Sequence, residues 1–106
     1  MTKRRVVVTG LGIISPVGNN IADAWRNILD GKSGAAPITS FDVSDFSVRF
    51  AATVKDFDVS SYISPKEAKK MDTFIHYGIA AGCQAIEDSG LEVTEANAER
   101  IGVAIG

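Results

Sequence analysis

One long helical segment constrains the fold of this chain more than any other feature. Its start is marked by Ser64-Pro65-Lys66-Glu67, where Ser caps the helix, Pro takes the first helical position and Glu the third. The helical pattern continues, with a break near Lys70, to about Ser89, and Gly90 ends it. Apolar residues occupy much of the circumference, which predicts a helix deep inside a layered protein. Small residues that allow close approach of another element lie at Gly78, Ala80, Ala81, Gly82 and Ala85.

Two short β-branched segments predict strands that are buried on both faces. Residues 5–9 and 101–105 are apolar without alternation, which is typical of strands in a parallel sheet. A third, shorter strand is predicted within residues 48–54, and residues 32–47 are expected to be irregular. An amphipathic helix is predicted over residues 21–29, between a cap at Asn20 and a stop at Gly31. Strands alternating with helices indicate an α/β architecture.

These elements are too few to bury one another. A chain of 106 residues allows one small domain. A buried parallel strand needs neighbours on both edges and layers on both faces. We therefore expect residues 1–106 to be an incomplete part of a domain, with the missing layers supplied by further polypeptide.

Composition excludes several classes of function. Eleven Lys and Arg against thirteen Asp and Glu give a net charge of −2, which provides no long-range field for nucleic acid. The single cysteine cannot form an internal disulfide, and with only one histidine there is no zinc-ligand set, which indicates a reducing compartment. Apolar runs are too short for a signal peptide or a membrane span. We expect a cytoplasmic protein without metal or membrane contact.

The turn Gly10-Leu11-Gly12 after a predicted strand invites comparison with a dinucleotide-binding loop. That loop needs a third glycine three residues on and a helix that begins at once. Ser15 and Pro16 stand there instead, and the helix signals begin only near Asn20. We therefore interpret the glycines as a turn and expect no nucleotide or other cofactor.

Cys83, His76 and the aspartates do not form a recognisable catalytic set. A catalytic thiolate needs a helix N-terminus or a cation beside it, whereas Cys83 lies in the middle of the apolar helix. We expect it to be a small buried hydrophobic residue. His76 has no carboxylate close in sequence and is expected to be structural or partly exposed. The spacing of Asp42, Asp45, Asp56 and Asp58 does not identify any two of them as a pair for general acid–base catalysis.

Lys66, Lys69 and Lys70 form the most suggestive surface feature. Their i, i+3, i+4 spacing places three cations on one face of a helical turn in an otherwise acidic chain. The residues alone favour a solvated face, because charge clusters are common on helices. The alternative is a docking patch for an acidic protein.

The order of several motifs carries a resemblance to a known family. They are Arg4-Arg5-Val6-Val7-Val8-Thr9-Gly10-Leu11-Gly12, Ser15-Pro16-Val17-Gly18, Trp25, Gly31-Lys32-Ser33-Gly34, Phe41-Asp42, residues 66–72, Tyr77-Gly78 and Asp88-Ser89-Gly90. Together they closely resemble the start of the type II β-ketoacyl-acyl carrier protein synthases, the condensing enzymes of bacterial fatty-acid elongation. The match runs through all 106 residues without an obvious insertion.

The resemblance implies a thiolase-like fold of five αβαβα layers, in a homodimeric acyltransferase several hundred residues long. The nucleophilic Cys and two His residues of the family follow later in its sequence, so none of the catalytic residues is expected here, and Cys83 matches none of them. The family's carrier-protein surface includes basic residues in the segment that matches residues 66–70. Because acyl carrier proteins are strongly acidic, the resemblance favours docking at Lys66, Lys69 and Lys70.

Three functions remain open at this point. The first is a fatty-acid ketosynthase, which condenses acyl chains with malonyl-acyl carrier protein. The second is a polyketide-type ketosynthase or chain-length factor. The third is a non-catalytic module that binds an acidic protein through the lysines.

Overall fold

The structure, a computed structural model, describes residues 2–106 and contains three α-helices and a two-stranded sheet. In chain order the elements are α1 (Ile21–Leu29), β1 (Ala35–Pro37), β2 (Phe50–Ala52), α2 (Pro65–Ala68) and α3 (Thr73–Ser89). Single 3₁₀ turns occupy Val59–Ser61 and Ala98–Arg100.

The helices begin and end where the sequence predicts. The side chain of Asn20 accepts the N–H of Asp23 at 2.8 Å and caps α1. The Ser64 hydroxyl accepts the N–H of Glu67 at 3.3 Å and caps α2. Gly90 ends α3 with φ of 69°, a left-handed conformation that glycine adopts without steric cost. The predicted break near Lys70 is confirmed, because α2 and α3 are separate helices.

The sheet is a short antiparallel hairpin with Ala35 opposite Ala52 and Pro37 opposite Phe50. β2 confirms the strand predicted within residues 48–54. β1 lies in the stretch predicted to be irregular, so that part of the prediction is wrong. With three residues and a proline at one end, β1 has no alternation that a sequence pattern could reveal.

Residues 5–9 and 101–105 form no hydrogen-bonded strand in the part of the chain that the structure describes. Val6, Val7 and Val8 are 91%, 72% and 79% exposed, and Val103 is 78% exposed. The prediction of buried strands is therefore wrong within residues 2–106. Its physical reason is that a strand exists only with a partner, and neither segment has a partner here.

The chain is open rather than closely packed. Its radius of gyration is 17.7 Å, whereas about 13 Å is expected for a compact domain of this length. Within residues 2–106 the buried apolar residues are Ala24, Ile63 and Ala80. Cys83, predicted to be buried, is exposed, because no layer covers its face of α3 within residues 2–106.

The N-terminal segment lies directly against α3, and its glycines make this possible. A Cβ on Gly10 would overlap the carbonyl oxygen of Ala85, and one on Gly12 would overlap that of Ala81. Both glycines therefore serve close packing of the chain on the helix.

Candidate functional site

Lys66, Lys69 and Lys70 all lie on one exposed helical turn. Lys66 belongs to α2, Lys69 is its C-terminal cap with helical φ and ψ, and the N–H of Lys70 donates to Glu67 O at 3.0 Å. The turn ends there rather than continuing into α3. We call these three side chains the lysine patch.

Most of the positive charge in the lysine patch has no acidic partner within residues 2–106. Lys70 Nζ lies 3.4 Å from Glu67 Oε1, and both side chains are more than half exposed. Such an exposed pair is weak and is screened by salt. Neither Lys66 nor Lys69 forms an ion pair within residues 2–106. Two of the three cations are thus unpaired by the described chain.

His76 fixes the lysine patch to the long helix. Its Nε2 lies 2.9 Å from the carbonyl oxygen of Ala68, the last residue of α2. A carbonyl oxygen only accepts, so Nε2 carries the proton and donates. His76 is half-buried and has this structural contact, which confirms the structural role predicted for it.

An aromatic cluster anchors the segment that leads into α2. The ring of Phe57 stacks on Tyr62, with centroids 6.0 Å apart, and meets Tyr77 of α3 edge to face at 5.2 Å. Ile63, directly before the cap Ser64, is buried. The lysine patch is therefore held on α3 from both ends of α2.

Gln84 of α3 is the polar centre of this region, and no sequence signal identified it. Its Nε2 donates to Asn19 O at 2.7 Å and to the Tyr62 hydroxyl at 3.0 Å. Its Oε1 accepts the N–H of Ile13 at 3.0 Å. One side chain thus joins α3, the N-terminal segment and the loop before α2.

Two main-chain N–H groups in and beside Gly10-Leu11-Gly12 donate to side chains of α3. Asp88 Oδ2 accepts the N–H of Leu11 at 2.9 Å, and Gln84 takes the N–H of Ile13. A phosphate-binding loop presents free main-chain N–H groups at the start of a helix. The structure has no turn at Gly10-Leu11-Gly12, so that interpretation is wrong. The segment is irregular and its glycines pack against α3, and the turn lies further along the chain, where Ser15 pairs with Gly18.

Cys83 lies in a shallow depression without any group that would activate a thiolate. Its lining includes Ile86 and Leu91 together with the carboxylates Glu87 and Glu92. No lysine, arginine or histidine, the residues that activate a cysteine, is among these lining residues. These surroundings provide no chemistry for a covalent intermediate.

Asp23, Asp42 and Asp58 have pKa values below the ordinary 3.8, each for a local reason. The Asn20 amide and then the Arg26 guanidinium bond to Asp23 and lower its pKa. Bonds from Ser44 lower the pKa of Asp42, and bonds from Ser60 lower that of Asp58. All three stabilise turns or caps rather than forming a pair for acid–base work.

The described residues form neither a metal site nor a membrane span. Within residues 2–106 no three His, Cys, Asp or Glu side chains come together to hold a metal ion. No helix of that part is both long and apolar enough to cross a bilayer.

Comparison with known proteins places this arrangement in context. The chain is 61% identical over all 106 residues to the 3-oxoacyl-[acyl-carrier-protein] synthase 2 of Vibrio harveyi, and covers 26% of that protein. It is 52% identical, with the same coverage, to the protein of that name from Coxiella burnetii. The chain therefore spans about a quarter of the length of the relatives it matches.

A solved structure has the same fold. The ishigamide ketosynthase/chain length factor superposes with a TM-score of 0.77 over 86% of this chain and 23% of its own, at 36% identity. This likeness confirms the predicted thiolase-like α/β fold, of which residues 2–106 form a part.

A family model confirms the assignment independently of any single relative. The model of the β-ketoacyl synthase N-terminal domain matches residues 3–106, nearly the entire chain. The chain belongs to the β-ketoacyl synthase family.

Proposed function

We propose that this chain is the N-terminal part of a 3-oxoacyl-[acyl-carrier-protein] synthase of the type 2 class. The observation that carries the proposal is the 61% identity over every residue of the chain to the Vibrio harveyi enzyme of that name. The full-length protein would lengthen acyl chains in fatty-acid synthesis.

The chemistry follows the family's reaction. An acyl group moves from carrier protein to a cysteine thiolate, malonyl-carrier protein loses CO₂, and the resulting enolate attacks the acyl-enzyme thioester. Electrostatic stabilisation of the enolate and of the thioester oxyanion lowers the barrier. We assign none of these catalytic roles to residues 1–106, and Cys83 in particular has no activating neighbour.

The contribution of this chain is docking and scaffold. The lysine patch is exposed, is held in place by His76 and the aromatic cluster, and is positive against an acidic carrier protein. Complementary charge of this kind mainly accelerates encounter. We propose that Lys66, Lys69 and Lys70 bind acyl carrier protein, and that the protein acts in the cytoplasm as a homodimer.

A second candidate is a polyketide-type ketosynthase or chain-length factor. It is favoured by the likeness to the ishigamide ketosynthase/chain length factor, but at 36% identity rather than 61%. A non-catalytic module that binds an acidic protein would use the same lysine patch, yet it would not need the likeness to synthases over the whole chain.

The test uses the full-length protein with acyl- and malonyl-acyl carrier protein. Mass spectrometry of the product should show a 3-oxoacyl-carrier protein two carbons longer than the starting acyl chain. An inactive protein that forms a stable complex with a separate ketosynthase would instead identify a chain-length factor. An intact mass near 11.2 kDa for the natural protein would favour the binding module.

A further inference from the structure

The ammonium of Lys55 makes three hydrogen bonds, all to main-chain carbonyl oxygens. Lys55 Nζ donates to Pro16 O at 3.1 Å, to Gly34 O at 2.9 Å and to Thr53 O at 2.9 Å. An ammonium has three N–H donors and no acceptor, so each donor has one partner. The bonds join three parts of the chain: the turn before α1, the loop before β1 and the end of β2.

This cation has no anionic partner in the part of the chain that the structure describes. The ion pairs there are Arg26 with Asp23 and Lys70 with Glu67. The Lys55 ammonium contacts three main-chain carbonyl oxygens instead, and their dipoles are directed at its charge. Carbonyl oxygens arranged in this way also replace the hydration shell of monovalent metal ions.

The carbonyls are held in place by contacts that do not involve the ammonium. Gly34 packs so closely on Pro16 that an added Cβ would lie 2.7 Å from the Pro16 Cβ. The carbonyl of Lys55 itself accepts the Asn19 amide N–H at 2.7 Å, which fixes the Lys55 peptide to the same region. Ser15 and Gly18 exchange two main-chain hydrogen bonds across Pro16, at 3.0 and 3.2 Å. The carbonyls of Pro16 and Gly34 would therefore stay close together without the lysine side chain, and Thr53 lies two residues before the fixed Lys55 peptide.

We propose that Lys55 is a tethered monovalent cation: its ammonium occupies a three-carbonyl site that binds free ammonium or potassium when the side chain is shortened. In the native protein the Lys55 ammonium holds the turn before α1 and the β1–β2 hairpin together through these hydrogen bonds. Neutral carbonyl ligands favour a monovalent ion, because divalent ions in proteins are usually bound with carboxylates. The inference does not depend on the proposed function.

The first test compares Lys55→Ala with Lys32→Ala in the full-length protein. Lys32 is also exposed and lies in a loop, but its side chain makes no hydrogen bond within residues 2–106. Thermal unfolding is followed in chlorides of ammonium, potassium, lithium and tetramethylammonium at one ionic strength. In tetramethylammonium chloride, Lys55→Ala should unfold about 5 °C below wild type, because three charge-assisted bonds are lost.

Ammonium and potassium should restore at least half of that difference, since the site already holds an ammonium group and potassium is of similar size. Lithium, which is smaller, should not. Wild type and Lys32→Ala should show no such dependence on the cation. Equal stability of Lys55→Ala and Lys32→Ala, or equal recovery in all four salts, would overturn the proposal.

A second measurement needs no variant and decides the matter if Lys55→Ala does not fold. The native wild-type protein is treated briefly with an N-hydroxysuccinimide ester of acetate, and acetylation of each lysine is measured by mass spectrometry. Lys55 should react several-fold more slowly than Lys32, because its nitrogen must leave three carbonyl partners before it can attack the ester. Equal reaction rates would show that the three hydrogen bonds of Lys55 do not form in solution.

Discussion

The side-chain oxygen of Gln84 accepts the main-chain N–H of Ile13 at 3.0 Å, across 71 positions of the sequence. The nitrogen of the same amide reaches Asn19 O and the Tyr62 hydroxyl. A neutral amide can both donate and accept, which no charged side chain of similar size does. One residue of α3 therefore holds the start of the chain and the approach to the lysine patch together.

Replacing Gln84 by Leu should destabilise the protein by about 2–3 kcal/mol, because Ile13 N–H and Asn19 O lose their partner in a half-buried place. Urea unfolding of the full-length protein measures this. Glu87→Leu is the matched control on the same helix, since Glu87 is exposed, and it should change stability by less than about 0.5 kcal/mol. Equal effects of the two substitutions would contradict the central role of the amide.

Gly12→Ala and Gly82→Ala should have very different effects. A methyl group on Gly12 would overlap the Ala81 carbonyl, whereas one on Gly82 meets no atom within 4 Å in residues 2–106. We expect Gly12→Ala to lower the free energy of unfolding by about 2 kcal/mol or more, because main chain must move away from α3. Gly82→Ala should be tolerated far better on helix propensity. Thermal unfolding of both full-length variants checks this, and a Gly12→Ala protein of wild-type stability would refute the close packing.

Changing Lys66, Lys69 and Lys70 to Glu should strongly raise the apparent KM for acyl carrier protein. The effect should shrink as salt rises, because exposed charges are screened over about 8–10 Å at physiological ionic strength. Turnover of a small pantetheine thioester, which has no protein to dock, should hardly change. Both substrates are to be assayed at low and high salt in wild type and variant. An equal loss of activity with both substrates would indicate a folding defect. No loss with either substrate would mean that the lysines only form a solvated face.

The stability conferred by Asp23 should depend on pH in a defined direction. Its pKa is lower in the folded protein than the ordinary 3.8, first because of Asn20 and then Arg26. A depressed pKa stabilises the fold above pH 3.8, and this contribution is lost as pH falls through the folded-state value. Asp23→Asn should therefore cost stability near pH 6 and make little difference near pH 2. Denaturant titrations at several pH values measure this, with Asp45→Asn as the exposed control, and a difference that persists in acid would contradict the assignment.

Cys83→Ala should leave condensation by the full-length enzyme largely intact. The depression that holds Cys83 contains no histidine, lysine or arginine that would activate the thiol. A cost of about 1 kcal/mol or less is expected from lost contacts. Acyl-enzyme formation is followed by intact mass, with circular dichroism to confirm folding. Loss of the acyl-enzyme in a folded variant would mean that Cys83 is the nucleophile after all.

The parts of the fold that sequence predicts well are those with local causes. Asn20, Ser64 and Gly90 mark helix ends through contacts within a few residues, so α1, α2 and α3 follow from the pattern. Strands depend on partners, which is why residues 5–9 are unpaired here despite their composition.

The candidate site divides in the same way. Spacing alone places the lysine patch on one turn, but its anchors could not be predicted. Gln84 and His76 form hydrogen bonds with main-chain oxygens of other segments. Every residue has a main-chain oxygen, so the sequence does not indicate which one a side chain contacts. The three carbonyls around Lys55 escape prediction for the same reason.

The exposed valines at 6–8 also bear on how such a protein is made. In a protein as long as its relatives, a part that matches the family's N-terminal domain would leave the ribosome before the remaining three quarters, which follow at roughly 5–20 residues per second. For some tens of seconds Val6, Val7 and Val8 would be exposed to solvent without the rest of the protein. Chaperones that bind short apolar stretches would then be able to bind the nascent chain. We expect the yield of folded protein to depend on translation speed as well as on its final stability.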